Sequence, residues 1–157
     1  MIPNNLIHFT DKKIRKLVSV PGQPFESMKP KGLWISVEDN GDGWKTWCEQ
    51  EQFNLGGLVM QYKIMLNNDS NILLLKSASM LDTFHYEFKC QNKSIVGYDL
   101  NFINWDQVSK QYKGIIISPY QYSRRLSGLV SSWYYGWDCA SGCILDVSVI
   151  KSIKLIK

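Results

Sequence analysis

No hydrophobic run in this sequence approaches the length of a membrane span. The longest unbroken apolar stretches, such as Ile72–Leu75 and Ile115–Ile117, are strand-sized, far short of the about 20 residues a spanning helix needs. The first ten residues lack a basic segment followed by an apolar one, so no secretory signal is expected. Cysteine is sparse, with 4 residues at positions 48, 90, 139 and 143, and there are only 2 histidines. Cys139-x3-Cys143 has no matching second pair, and His8 and His85 do not complete a zinc-finger pattern. Reduced, mostly buried thiols in a cytoplasmic protein are the expectation, with no metal. Charge of either sign is modest: 18 Lys+Arg against 14 Asp+Glu leave a net charge of +4. That is small for a dedicated nucleic-acid binder and still permits contact with an acidic partner. No P-loop, G-x-G-x-x-G, H-E-x-x-H or G-x-S-x-G is present, so kinase, Rossmann, zincin and α/β-hydrolase readings lose support. No repeat or linker divides the chain.

What the chain does have is length for one domain and a surplus of rings. Its 157 residues are 45% hydrophobic and 13% aromatic, with 6 Trp, and the expected organisation is a single domain spanning 1–157. Strands are read over 4–10, 32–37, 58–66, 72–75, 113–118, 143–147 and 149–156, with an extended segment at 14–20 and a Pro-rich loop at 21–30. Helices are read over 44–53 (capped by Asp42), 77–88 and 104–112 from spacings of three and four between apolar residues. The stretch 119–140 yields no assignment. The fold class is α+β, with a twisted, mostly antiparallel core and two or three short helices.

Four places could carry chemistry. His8 lies in a strand, where it is either a core histidine bonded to backbone or a ligand anchor sharing a face with Thr10. In Gly32-Leu33-Trp34-Ile35-Ser36, Trp34 and Ser36 share a face beside a glycine that admits a close approach. Trp44-x-x-Trp47 forms one aromatic wall, suited to core packing or to stacking on a flat heterocycle. In Trp133-Tyr134-Tyr135-Gly136-Trp137-Asp138, one carboxylate sits among aromatic rings, a setting that shifts pKa values and stabilises cations. Arg124 and Arg125 are either a solvated pair or a phosphate fork. A nuclease using His8 and His85 as acid and base is a weaker option.

Taken in order, His8-x-Thr10, then Gly32-Leu33-Trp34-Ile35-Ser36, a helix carrying Trp44 and Trp47, and a late acid before the closing strands resemble the diphtheria-toxin-like ADP-ribosyltransferases. The resemblance covers most of the chain through short motifs, with Trp34 where the family carries Tyr. It implies a split-sheet ADP-ribosyltransferase fold and a small bacterial or phage mono-ADP-ribosyltransferase, an effector of the glycosyltransferase class. Such an enzyme uses NAD as substrate, transfers ADP-ribose to a protein or nucleic-acid acceptor, and releases nicotinamide. Carried over residue by residue, His8, Thr10, Gly32, Trp34, Ser36, Trp44 and Trp47 would bind NAD, Arg124 its pyrophosphate, and Asp138 with His8 would be catalytic. The family's Glu at the start of the late strand is absent from Ser141-Gly142-Cys143-Ile144, and Asp138 is the nearest acid upstream. The alternative is a non-catalytic, aromatic-rich module that binds nucleic acid or a protein.

Overall fold

A computed structural model describes residues 1–90, 93–95, 98–126 and 131–157, and among these described residues it has nine strands and five α-helices. Residues 127–130, inside the stretch that sequence left unassigned, lie outside the described residues. Seven strands form one mixed sheet: β1 (Leu6–Thr10), β2 (Leu33–Val37), β3 (Met60–Leu66), β4 (Ile72–Leu75), β7 (Gly114–Ile117), β8 (Ser141–Ile144) and β9 (Ile150–Leu155), in the order β4-β7-β8-β2-β1-β3-β9. All neighbours run antiparallel except β4 and β7. A parallel pair needs a crossover. Here it consists of α2 (Ala78–Phe88), a hairpin of β5 (Lys93–Ile95) and β6 (Tyr98–Leu100), and α3 (Trp105–Gln111). The α+β class and the antiparallel majority agree with the sequence reading. The sheet, however, is hydrogen-bonded continuously rather than split, and its helices outnumber the two or three expected.

Each element has a local cause. β7 reads Gly-Ile-Ile-Ile because both its faces are covered, and every residue in it is buried. In α2 the Ser77 hydroxyl accepts the Met80 amide proton, and Leu81, Phe84, His85 and Phe88 make the buried stripe, whereas Met80 is exposed. In α3 the Asn104 side chain accepts from the Gln107 amide, and Trp105 and Val108 face inward. The core is strongly aromatic: Trp105, Trp133 and Trp137 are almost fully buried and pack on one another, with Phe84 against Trp105 and Trp133 and Phe88 against Phe84. Three of the six tryptophans are thereby structural.

Residues 14–20, read as an extended segment, join no strand. Two local expectations are corrected. The 3₁₀ turn Leu55–Leu58, with its two glycines, delays β3 until Met60. Asp42 does not cap α1 (Trp44–Glu51): Gly43 holds the N-cap position, and the Asp42 carboxylate accepts the Tyr120 amide proton at 2.8 Å.

One feature of the sheet positions the site. β1 and β2 pair over only two positions, Leu6↔Val37 and Ile7↔Ser36, and then diverge. The fork lies at the centre of the sheet, with β8 on the far side of β2.

Candidate active site

A cavity of about 250 Å³ opens at the fork. Its walls come from Ile7, His8 and Phe9 on β1, Trp34, Ile35 and Ser36 on β2, Trp44 at the start of α1, and Trp137, Asp138 and Ser141 from the segment that enters β8, with Lys29 from the Pro-rich loop. The first and last thirds of the sequence meet here because the strand order places β1, β2 and β8 side by side.

His8 bridges the diverging strands. Its Nδ1 lies 2.7 Å from the Trp34 carbonyl oxygen. A carbonyl oxygen only accepts, so Nδ1 carries a proton and donates it. The histidine therefore satisfies backbone at one nitrogen while lining the cavity.

Ser36 is held by a local network. Its hydroxyl donates to Glu38 Oε1 and accepts the Trp44 amide proton at 2.7 Å, while Glu38 Oε1 also accepts from the Lys45 amide at 3.2 Å. Two orphan donors of the first turn of α1 are thus satisfied, one by a carboxylate at the positive end of the helix. Gly43 makes room for it: a Cβ there would meet the Glu38 carboxylate at 2.6 Å. This network fixes Trp44 against the cavity. Behind Trp44, Trp47 stacks at 5.0 Å and 15° between planes, and Phe53 meets both rings edge-on.

On the opposite wall, Trp34 meets Trp137 edge-to-face at 4.9 Å, and Lys29 Nζ lies 5.3 Å from the Trp34 ring centre. Arg125 Nη2 lies 3.4 Å from Asp138 Oδ1 and packs over Tyr135. Burial pushes the Asp138 carboxyl above its ordinary value, against the opposing pull of Lys29 and Arg125. This acid sits beside two cations in an aromatic setting and holds its proton more readily than a surface aspartate.

The residues singled out from sequence divide cleanly. His8, Trp34, Ser36, Trp44 and Asp138 line the cavity together. Trp47 lies behind Trp44 rather than on the wall. Thr10 does not line it; its hydroxyl accepts the Lys12 amide proton at 3.1 Å. Gly32 serves packing: a Cβ there would come within 2.3 Å of the Ile144 carbonyl oxygen, so β8 occupies the space assigned to a ligand. Arg124 is engaged elsewhere, in a bidentate pair with Asp82 at 2.7 Å for both bonds. His85 is a core residue whose Nδ1 accepts from Trp133 Nε1–H at 3.2 Å, and burial lowers its pKa; it does not join His8. Lys29, Phe9 and Glu38 were not singled out, and the Pro-rich loop carrying Lys29 offers no sequence signal for it.

Cys48, Cys139 and Cys143 are buried free thiols, and burial holds Cys48 at about 11 and Cys139 at about 12. They are poor nucleophiles at neutral pH. No helix among the described residues is long and apolar enough to cross a membrane.

No protein-family model, curated protein or solved structure matches this chain. What bears on function is the cavity. It offers an aromatic-walled slot with one imidazole, one carboxylate of raised pKa and one lining cation. At about 250 Å³ it is smaller than the about 300–1,000 Å³ of sites that enclose a drug-sized ligand.

Proposed function

We propose that the protein is an NAD-dependent mono-ADP-ribosyltransferase of the diphtheria-toxin-like type. It would transfer ADP-ribose from NAD to a macromolecular acceptor and release nicotinamide. The observation that carries this reading is the meeting of His8 and Asp138, from opposite ends of the sequence, in one cavity with Trp34, Trp44 and Ser36. The family resemblance requires this juxtaposition, and strand periodicity alone does not produce it. The resemblance expects an acid at the start of the late strand. Ser141 occupies that position, and Asp138 enters the cavity from the turn just before it.

In this reading the nicotinamide ring lies against Trp44, backed by Trp47. The Ser36 hydroxyl has given its only proton to Glu38 and retains a lone pair, which accepts from the nicotinamide amide. His8 Nε2 accepts from a ribose hydroxyl. The bond between ribose C1′ and the pyridinium nitrogen breaks, and its electron pair returns to the ring, which leaves as neutral nicotinamide. Positive charge develops on the ribose. The Asp138 carboxylate stabilises that charge and takes the proton of the acceptor N–H or O–H as the acceptor's lone pair forms the new bond to C1′. Lys29 lies on the wall for a phosphate of the same substrate. The adenylate half extends past the cavity rim.

Incubation with labelled NAD and a cell lysate tests this. Transfer of label by wild type and its loss in Asp138→Asn are expected. Absence of both transfer and nicotinamide release by the wild type contradicts the reading.

A further inference from the structure

The modest net charge conceals a separation of charge. Residues 1–20, 60–66 and 150–157 hold eight of the 18 Lys+Arg (Lys12, Lys13, Arg15, Lys16, Lys63, Lys151, Lys154 and Lys157) and one of the 14 Asp+Glu, Asp11. The remainder of the chain carries ten basic against thirteen acidic residues. All eight cations are exposed, and none makes an ion pair among the described residues.

The strand register ties part of this charge to the cavity. Ser141 pairs with Ser36, Ser36 with Ile7, Ile7 with Lys63, and Lys63 with Lys154. Directly paired residues share a sheet face, so these side chains form one row across β8, β2, β1, β3 and β9. Ser141, Ser36 and Ile7 line the cavity. With neighbouring strands about 4.8 Å apart, the two lysines stand about 5 and 10 Å beyond the cavity's Ile7 wall. Like charges directly opposite on an antiparallel pair cost stability. The sheet therefore maintains the Lys63–Lys154 pair against its own folding interest.

Around the end of the same edge, the Ile14 amide donates to the Tyr62 hydroxyl at 3.1 Å, and the Gln61 amide donates to the Lys157 carbonyl at 3.0 Å. The basic segment 12–16 and the basic C-terminus therefore lie beside the start of β3. Where the row reaches Ser36, the ring group of Trp44, Trp47 and Phe53 adjoins it, with Phe53 half exposed. A basic track that leads to aromatic platforms is an arrangement that holds single-stranded nucleic acid. An acidic peptide would use the charges and leave the rings idle.

We propose that the Lys63–Lys154 row, with the basic segments flanking it, is a docking track for single-stranded nucleic acid, and that it leads the strand to the cavity as acceptor. The second half rests on the reading of the cavity as an ADP-ribosyl transfer site. A base or sugar heteroatom of the strand then supplies the electron pair for the new bond to C1′, and its proton passes to Asp138.

The test measures fluorescence anisotropy of short, labelled, mixed-sequence DNA and RNA strands between about 50 and 200 mM salt, for wild type and for Lys63→Ala/Lys154→Ala. A parallel arm measures the melting temperature with and without NAD. Wild type binds with a steep salt dependence. In the double variant the slope of log affinity against log salt falls by about 1.4, from about 0.7 per phosphate contact, and affinity drops about 25-fold near 0.1 M salt. Its melting temperature is no lower than wild type, because a repulsive pair has been removed, and its NAD-induced shift is unchanged. The track is overturned if wild type binds neither strand at about 50 mM salt, if the variant keeps wild-type affinity and slope, or if poly-glutamate competes as well as an oligonucleotide. An unchanged NAD shift in any of those cases leaves the cavity reading standing. Strand binding without any NAD shift supports the track and removes the transfer step.

Discussion

Replacing Ser36 by Ala separates a structural role from a ligand-binding one. The hydroxyl accepts the Trp44 amide proton at 2.7 Å and donates to Glu38, and Ser36 is only 3% exposed. Losing a helix-capping acceptor costs about 1 kcal/mol. The same change removes the Ser36 hydroxyl's bond to Glu38, which adds about another 1 kcal/mol. Lys45 keeps its bond to Glu38, so the helix does not come free altogether. A total of about 2 kcal/mol in a domain of this size lowers the melting temperature by about 4–8 °C. Urea denaturation monitored by far-UV circular dichroism measures it, with an unchanged m-value expected, since the surface exposed on unfolding is the same. Ser36→Thr, which keeps the hydroxyl, recovers part of the loss. Wild-type stability in Ser36→Ala, together with weakened NAD binding, would show that the serine faces only ligand, and the account of how α1 is anchored would be wrong.

Other outcomes follow from the same geometry. The Arg124 guanidinium holds Asp82 below the usual carboxylate range, so the stability this pair contributes is present above about pH 4, the unfolded value, and is lost as pH falls through the lower folded one. Asp82→Asn is therefore less stable than wild type at pH 7, and the gap closes in acid melts. Burial lowers the pKa of His85, so the neutral ring stabilises the fold above about pH 6.5, the unfolded value, and that stability is lost as pH falls toward the folded one. His85→Gln, which retains an acceptor for Trp133, should flatten that part of the pH–stability curve; an identical curve would contradict the buried pairing. Arg124→Ala should leave the affinity for NAD unchanged, because the side chain is committed to Asp82 away from the cavity. A tenfold loss of affinity, read by thermal shift, would return it to the site.

Much of the architecture was legible because its causes are local. The Ile72–Leu75 run and the apolar spacings of α2 and α3 each leave a pattern in neighbouring residues. The start of β8 left none. Ser141 and Gly142 are poor strand formers, and Gly142 is required because a Cβ there would meet the Ile115 carbonyl oxygen at 2.5 Å from the adjacent strand. The hairpin of β5 and β6 is too short for alternation to register. At the cavity, His8, Trp34, Ser36, Trp44 and Asp138 could be named from their types and order, whereas Thr10, Gly32 and Arg124 could not be told from residues serving backbone, packing and an ion pair. Lys29 and Glu38 were invisible for a different reason. Their roles depend on which strands are neighbours, and strand order is set by the whole core rather than by any window of sequence.

The most direct measurement is the rate of nicotinamide release from NAD by wild type and by Asp138→Asn, with the NAD-induced rise in melting temperature recorded for both. A fold-selective ligand must raise that temperature. The account predicts the rise in both proteins and a release rate about 100–1,000-fold lower in the variant, the effect of removing one preorganised charge from the transition state. Equal release by the two proteins, or no thermal response of the wild type to NAD, would contradict the assignment of this cavity.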